Sequence, residues 1–315
     1  MKEEHYIFGP VPSRRLGFSL GVDIIPYKIC SLNCVYCQLG PTPETTRQRK
    51  EYVQIDTVLR QLEETLRQPG RIDYITLSGS GEPTLNSRIG DLIPAIKKLT
   101  KIPVALLTNG TTLIQPEVRE ALQYLDLIVP SLDAGSEEVY QGINRPCAGL
   151  NLEGLVRGIK EFTAGFSGQV WLEIMLLKDI NDSEDEVVAI GRRIAEIRPD
   201  RVQLNTAVRP PAESDVRALD TGEMEQIRIS LQSRVGDIPV EVVAGFSGQR
   251  EEAINKDVRA EILTYLERRP ATLDDLTATF GLHRNEIVKY LGHLLEEDLI
   301  EEEFTGSKKS YRLRR

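Results

Sequence analysis

Three of the four cysteines in this chain fall within eight positions, as Cys30-Ser-Leu-Asn-Cys34-Val-Tyr-Cys37. The CxxxCxxC spacing puts three thiolates on one short loop, where they can ligate three irons of a 4Fe–4S cube. No fourth cysteine lies nearby, so the fourth iron is open to an exogenous ligand. Most electron-transfer clusters use four cysteines instead. The alternative is a structural zinc site of three cysteines and one histidine. Zinc knuckles usually pair their cysteines as CxxC modules, and His5 is the only histidine in the first half of the chain. A disulfide framework would spread the cysteines along a small secreted domain, which this pattern does not do.

Further polar groups sit in short loops after apolar runs. Ser78-Gly79-Ser80-Gly81-Glu82-Pro83-Thr84 places a carboxylate, Glu82, among glycines, where it can accept hydrogen bonds from a cationic amine. Asn109, in Thr108-Asn109-Gly110, and Ser131, in Ser131-Leu132-Asp133-Ala134, carry compact groups suited to ribose hydroxyls or a carboxylate, and Asp133 can do the same. A plainer reading makes Asn109-Gly110 a turn and Ser131 a helix cap. Cys147 is either a buried hydrophobe or a thiol hydrogen donor near the site. Lys178 can form a Schiff base if desolvated, or is surface charge. Glu173 lies on an apolar run and can point inward toward ligand, and Arg209-Pro210-Pro211 is a further contact candidate. Arg14 and Arg15 can grip a phosphate or carboxylate. They and the run Arg47, Arg49, Lys50 fit a solvated surface equally well.

The elements that must position these residues alternate. Strands are expected at Leu20–Ile25, Ile72–Leu77, Val104–Leu107, Leu127–Leu132, Val170–Leu177, Val202–Leu204 and Val240–Val243. Between them Val58–Leu66, Ser87–Leu99, Asn151–Phe162, Ser183–Ile197 and Thr221–Leu231 show helical periodicity. Such alternation implies an α/β fold with a parallel sheet, and six or seven units suit a partial (β/α)6-type TIM barrel. Chemistry in such folds sits at the C-terminal ends of strands, where these loops fall. After residue 250 the pattern changes. Helices at Asp257–Leu266, Leu273–Thr279 and Arg284–Glu296, then Leu299–Phe304 and Ser310–Leu313 around a Gly306-Ser307-Lys308-Lys309 turn, describe a winged helix-turn-helix. Two domains are therefore expected, 1–250 and 251–315.

Bulk properties narrow the class. A net charge of −9 argues against nucleic-acid binding by overall electrostatics. No run approaches the roughly 18 apolar residues that span a bilayer. The start, Met1-Lys2-Glu3-Glu4-His5, lacks the apolar segment of a signal peptide, so the cytoplasm is expected.

The cysteine triad with Tyr36 before its last member, together with the loops containing Ser80-Gly81-Glu82, Asn109 and Ser131–Asp133 and with Asn144-Arg145-Pro146, resembles the radical S-adenosylmethionine (SAM) superfamily over about residues 10 to 245. The resemblance implies a 4Fe–4S cluster on Cys30, Cys34 and Cys37, and SAM contacts by Tyr36, Ser80, Gly81, Glu82, Asn109, Ser131 and Asp133. Ser80 stands where glycine is common. The resemblance further implies that a reductant such as flavodoxin or ferredoxin drives SAM cleavage to a 5′-deoxyadenosyl radical, which takes hydrogen from a substrate. Gly9-Pro10-Val11-Pro12-Ser13-Arg14-Arg15-Leu16-Gly17 and Cys37-Gln38-Leu39-Gly40 resemble an iron–sulfur oxidoreductase branch grouped beside the tRNA wyosine-synthesis enzymes, which makes a tRNA base the first substrate expected. Those enzymes resemble a two-cluster design, and this chain has no cysteine before Cys30.

The third helix of the C-terminal module would carry His283, Arg284, Lys289, Tyr290 and His293 toward DNA, with Lys308, Lys309, Arg312, Arg314 and Arg315 on the wing. Residues 251–315 nonetheless hold 11 basic and 14 acidic side chains, which weakens a DNA-binding case. Radical SAM modification of a peptide or protein recognised by the module, and an iron–sulfur redox regulator acting on DNA, stand as alternatives.

Overall fold

The computed structural model describes residues 5–13, 15–207, 213, 215–243, 256–268, 270–305 and 308–314. Strands β1 (Ile7–Ser13) and β2 (Gly17–Val22) pair antiparallel. Six further strands then join in chain order, all parallel: β3 (Tyr74–Leu77), β4 (Val104–Thr108), β5 (Leu127–Pro130), β6 (Gln169–Leu176), β7 (Arg201–Thr206) and β8 (Val240–Val242). The order β1 to β8 is sequential, so each parallel connection carries the chain to the next strand over. β4 and β5 are apolar at nearly every position and buried on both faces, as parallel strands covered by helices must be.

The connections are α1 (Ile55–Leu66), α2 (Ile89–Leu99), α3 (Pro116–Ala121), α4 (Glu137–Asn144), α5 (Leu152–Gly165), α6 (Glu184–Ile197) and α7 (Thr221–Val235). Their starts follow capping chemistry: the side chains of Ser136, Asn151, Ser183 and Asp220 each accept a backbone N–H of the first turn. Each long helix buries one stripe; in α6 that stripe contains Val187, Ile190, Ile194 and Ile197. A continuous core between sheet and helices runs from Leu20 to Val240.

A second, separate core belongs to α8 (Lys256–Arg268), α9 (Leu273–Phe280), α10 (Arg284–Glu296) and the antiparallel pair β9 (Ile300–Thr305) and β10 (Lys308–Leu313). Ile262, Leu276, Ile287, Leu291, Leu294 and Tyr311 meet there. Among the described residues no helix is long and apolar enough to cross a membrane.

Three features depart from the sequence reading. β1 was not anticipated, because Gly9-Pro10-Val11-Pro12 reads as a loop. It is an edge strand whose register shifts between Phe8 and Val11, which is where a sheet tolerates proline. β2 ends at Val22, and Ile24 and Ile25 are buried as loop residues rather than as strand. α3 and α4 are too short to show a helical period.

Phe162, on the buried face of α5, is 1% exposed and packs against Phe166 at 4.6 Å between ring centroids. Phe162→Ala is expected to cost about 3–5 kcal/mol through lost transfer energy and a cavity. Urea unfolding followed by circular dichroism measures it.

Candidate functional site

The cysteine loop follows β2 at the C-terminal edge of the parallel strands. Each of its three sulfurs meets one nitrogen donor from a different segment. Lys28 Nζ lies 3.1 Å from Cys37 Sγ, Asn109 Nδ2 3.5 Å from Cys30 Sγ, and Asn144 Nδ2 3.4 Å from Cys34 Sγ. Lys28 reaches its sulfur from a left-handed backbone conformation, φ 62°, fixed by its N–H donating to the Ser80 carbonyl at 2.7 Å. Burial, then the charge of Glu82, push the Cys30 thiol up to about 12, and burial with Asp133 raises Cys34. A thiolate here needs positive charge beside it, and iron supplies that charge. Among the described residues no set of three histidine, cysteine or carboxylate side chains converges on a single-ion site. Three cysteines on one loop, each with an amide or ammonium donor at its sulfur, fit the ligation of a 4Fe–4S cube.

Three buried carboxylates hold the surrounding loops. Asp23, directly after β2, accepts from Ser80 N at 2.9 Å, Ser80 Oγ at 2.6 Å and Ile25 N at 3.2 Å. Glu82 is 2% exposed. Its Oε1 accepts from Thr84 N (3.0 Å), Thr84 Oγ1 (2.6 Å) and Thr108 Oγ1 (2.7 Å), and its Oε2 from Asn109 N at 2.7 Å. Burial raises its pKa against these four lowering bonds. Oε2 accepts one hydrogen bond, from Asn109 N, and as a carboxylate oxygen has lone-pair capacity for another. Asp133 accepts from Tyr36 OH at 2.5 Å, Asn144 Nδ2 at 2.7 Å and Met175 N at 2.9 Å. Burial nevertheless lifts it to about 6.

The glycines of the Glu82 loop are sterically required. A Cβ at Gly79 would fall on the Asp23 carboxylate, and one at Gly81 on the Ile29 carbonyl oxygen. Ser80, between them, has a use for its side chain because its hydroxyl donates to Asp23.

Beside the loop lies a cavity of about 330 Å³. Side chains from six strands border it, among them Phe8 (β1), Ser19 (β2), Thr76 (β3), Leu107 (β4), Glu173 and Met175 (β6) and Asn205 (β7), together with Tyr36 and Cys37. Glu173 points in, as the sequence suggests, and Arg15 pairs with it at 2.6 Å while Asn205 Nδ2 donates to it at 3.1 Å. Ser13, Arg15, Leu16, Gln38 and Leu39 border the same space.

Other candidates fall elsewhere. Cys147 lies against the cysteine loop, its thiol 3.8 Å from the Thr45 carbonyl, and does not border the cavity. Lys178 donates to Glu223 at 2.5 Å, and that bond raises its pKa, the reverse of what a Schiff-base lysine needs. Arg49 donates to the Thr84 carbonyl at 2.9 Å and Lys50 sits over the Tyr52 ring, so both brace loops. Arg47 donates to the Ala148 carbonyl at 3.4 Å. Ser131 sits half-buried at the end of β5, bridged to Glu173 through the backbone. Arg14 and Arg209-Pro210-Pro211 lie outside the described residues. Sequence reasoning missed Asp23 and Lys28. A lone aspartate after a strand carries no signal, and a left-handed lysine cannot be read from its neighbours.

Residues 24–191 match the profile of the radical SAM superfamily. The chain belongs to that superfamily and is an enzyme of it. Its members use a 4Fe–4S cluster and SAM, and require an external reductant. Over 97% of its length the chain is 39% identical to a protein named GTPase Obg from Brachyspira hyodysenteriae, of which it spans 45%. It is 36% identical over 81% of its length to a UPF0026 protein from Synechocystis, covering 93% of that protein. Among solved structures, Streptococcus suis SuiB aligns over 75% of this chain and 52% of its own with a TM-score of 0.53 at 18% identity. TYW1 with a lysine-pyruvate adduct aligns over 72% and 76% with a TM-score of 0.51 at 14% identity. These two likenesses are of fold.

Tyr36→Phe strips the phenolic donor from buried Asp133. It is expected to lower stability by about 1–3 kcal/mol, the usual cost of leaving a buried acceptor short. Thermal unfolding of the cluster-free protein reads the change.

Proposed function

We propose that Cys30, Cys34 and Cys37 hold the 4Fe–4S cluster and that hydrogen abstraction takes place in the adjoining cavity. The carrying observation is the environment of the three sulfurs: one nitrogen donor each, and a cavity that begins at Cys37. With cluster and SAM bound, reductive cleavage of SAM supplies a 5′-deoxyadenosyl radical. The chain's own residues position and shield. Oε2 of Glu82 has lone-pair capacity for one more donor, as the SAM amino group provides. In this reading Ser80 and Gly81, on the loop of Glu82, and Asn109 and Ser131, directly after β4 and β5, meet the remaining polar groups of SAM. Asp133 acts through Tyr36 and Asn144, holding the cysteine loop rather than reaching solvent. Flavodoxin or ferredoxin serves as reductant in this reading.

The sheet is read as a partial barrel because residues of six of its strands border one cavity. Residues 1–250 are read as that domain. Residues 251–315, three helices and a hairpin with their own core, are read as a winged helix. The substrate reading is a tRNA base. Its support is that Ser13, Arg15 and Leu16, and Gln38 and Leu39, the segments that carry the likeness to the wyosine branch, border the cavity where substrate specificity is set.

Anaerobic reconstitution with iron and sulfide should give the broad absorbance of an iron–sulfur cluster, and Cys30→Ala, Cys34→Ala or Cys37→Ala should each abolish it. With dithionite and SAM the reconstituted enzyme is expected to release 5′-deoxyadenosine, detected by liquid chromatography. Glu82→Gln should reduce that release by at least about tenfold, the equivalent of one charge-assisted hydrogen bond. Mass spectrometry of tRNA nucleosides from cells with and without the gene tests the substrate. Identical profiles refute the tRNA reading.

A further inference from the structure

The N-terminal end of α10 is not presented to solvent. His283, its capping residue, accepts the Asn285 N–H at Nδ1, so the ring proton sits on Nε2, which faces Asp23 Oδ2 at 3.0 Å. The same ring stacks on Phe8 of β1 with centroids 4.5 Å apart and planes within 10°. Arg284 lies over the Tyr27 ring at 4.0 Å, and Tyr27 in turn donates to the Leu39 carbonyl at 2.5 Å. Asn285, Val288 and Lys289, one helical face at i, i+3 and i+4 spacing, border the 330 Å³ cavity. Val288 is 7% exposed, lies outside the core of its own module and borders the cavity.

We infer that α10 is a wall of the substrate cavity, docked through His283 and Val288, and that Asn285, Val288 and Lys289 are substrate-specificity residues rather than readers of a DNA groove. The inference rests on the cavity being the substrate site. The argument is one of exclusion and of chemistry. A helix end cannot occupy a major groove while its first residues stack on Phe8 and bond Asp23. The face it turns to the cavity adds an amide and an ammonium to a space otherwise bordered by Arg15, Glu173 and Asn205. The Asp23 carboxylate that receives His283 also holds Ser80, so docking of the module and the shape of the Glu82 loop share one acceptor.

The test uses the reconstituted 315-residue chain and needs no turnover. In hydrogen–deuterium exchange, Val288→Asp and His283→Ala are each expected to speed exchange in segments 7–13 and 78–84, while the module's own segment 289–295 keeps its protection. In acetylation footprinting with acetic anhydride, Lys289 should react several-fold more slowly than exposed Lys101, and reach a comparable rate in Val288→Asp. Unchanged exchange in both segments for both variants, or a Lys289 as reactive as Lys101 in the unaltered chain, overturns the inference. So does tight binding of a random-sequence DNA duplex that Lys289→Ala abolishes. Absence of 5′-deoxyadenosine would count against the radical reading alone, since exchange and acetylation rates are independent of it.

Discussion

Loops beyond the ends of parallel strands have no ladder to hold them, and here that work falls to three buried carboxylates. Asp23 joins the end of β2 to the loop after β3. Glu82 joins the loop after β3 to the loop after β4. Asp133, after β5, joins the cysteine loop to β6. A buried carboxylate unpaired with a cation is costly, so each must collect several donors, and collecting them fixes the loops. The resulting rim of acceptors links the loops after β2, β3, β4 and β5 to one another.

The rim explains why several polar groups at the site are positioning residues. Asp133 accepts from Tyr36, Asn144 and Met175, and through these bonds it fixes the geometry of the cysteine loop. Tyr36, in turn, is more than an apolar neighbour of Cys37, because its hydroxyl is the shortest contact to that carboxylate. The Ser80 hydroxyl, at a position where glycine is common, is likewise explained by a partner that only the folded rim brings close.

Much of this was legible in the residues. The cysteine spacing, the strand–helix alternation, the four polar loops and the three-helix module with its hairpin all follow from local pattern, because each is written within a dozen residues. What was not legible depends on distance along the chain. β1 is hidden by its prolines and becomes a strand only through its partner β2. Asp23 meets Ser80 across 57 residues and His283 across the whole fold. Between the two sequence readings of Lys178, Schiff base or surface charge, the ion pair with Glu223 on α7 favours the second. Pairings of that kind are properties of topology, and no window of sequence contains them.

The three sulfur contacts carry one more consequence. Their donors differ in kind: an ammonium from Lys28 at Cys37, and neutral amides from Asn109 and Asn144 at the other two. A cation stabilises negative charge more strongly than an amide does, so with the three cysteines as cluster ligands Lys28 would favour negative charge at Cys37 more than the two amides would at Cys30 and Cys34. Cys37 also borders the cavity, while Cys30 and Cys34 do not. The one charged donor of the three thus stands at the one cysteine of the triad that borders the chamber.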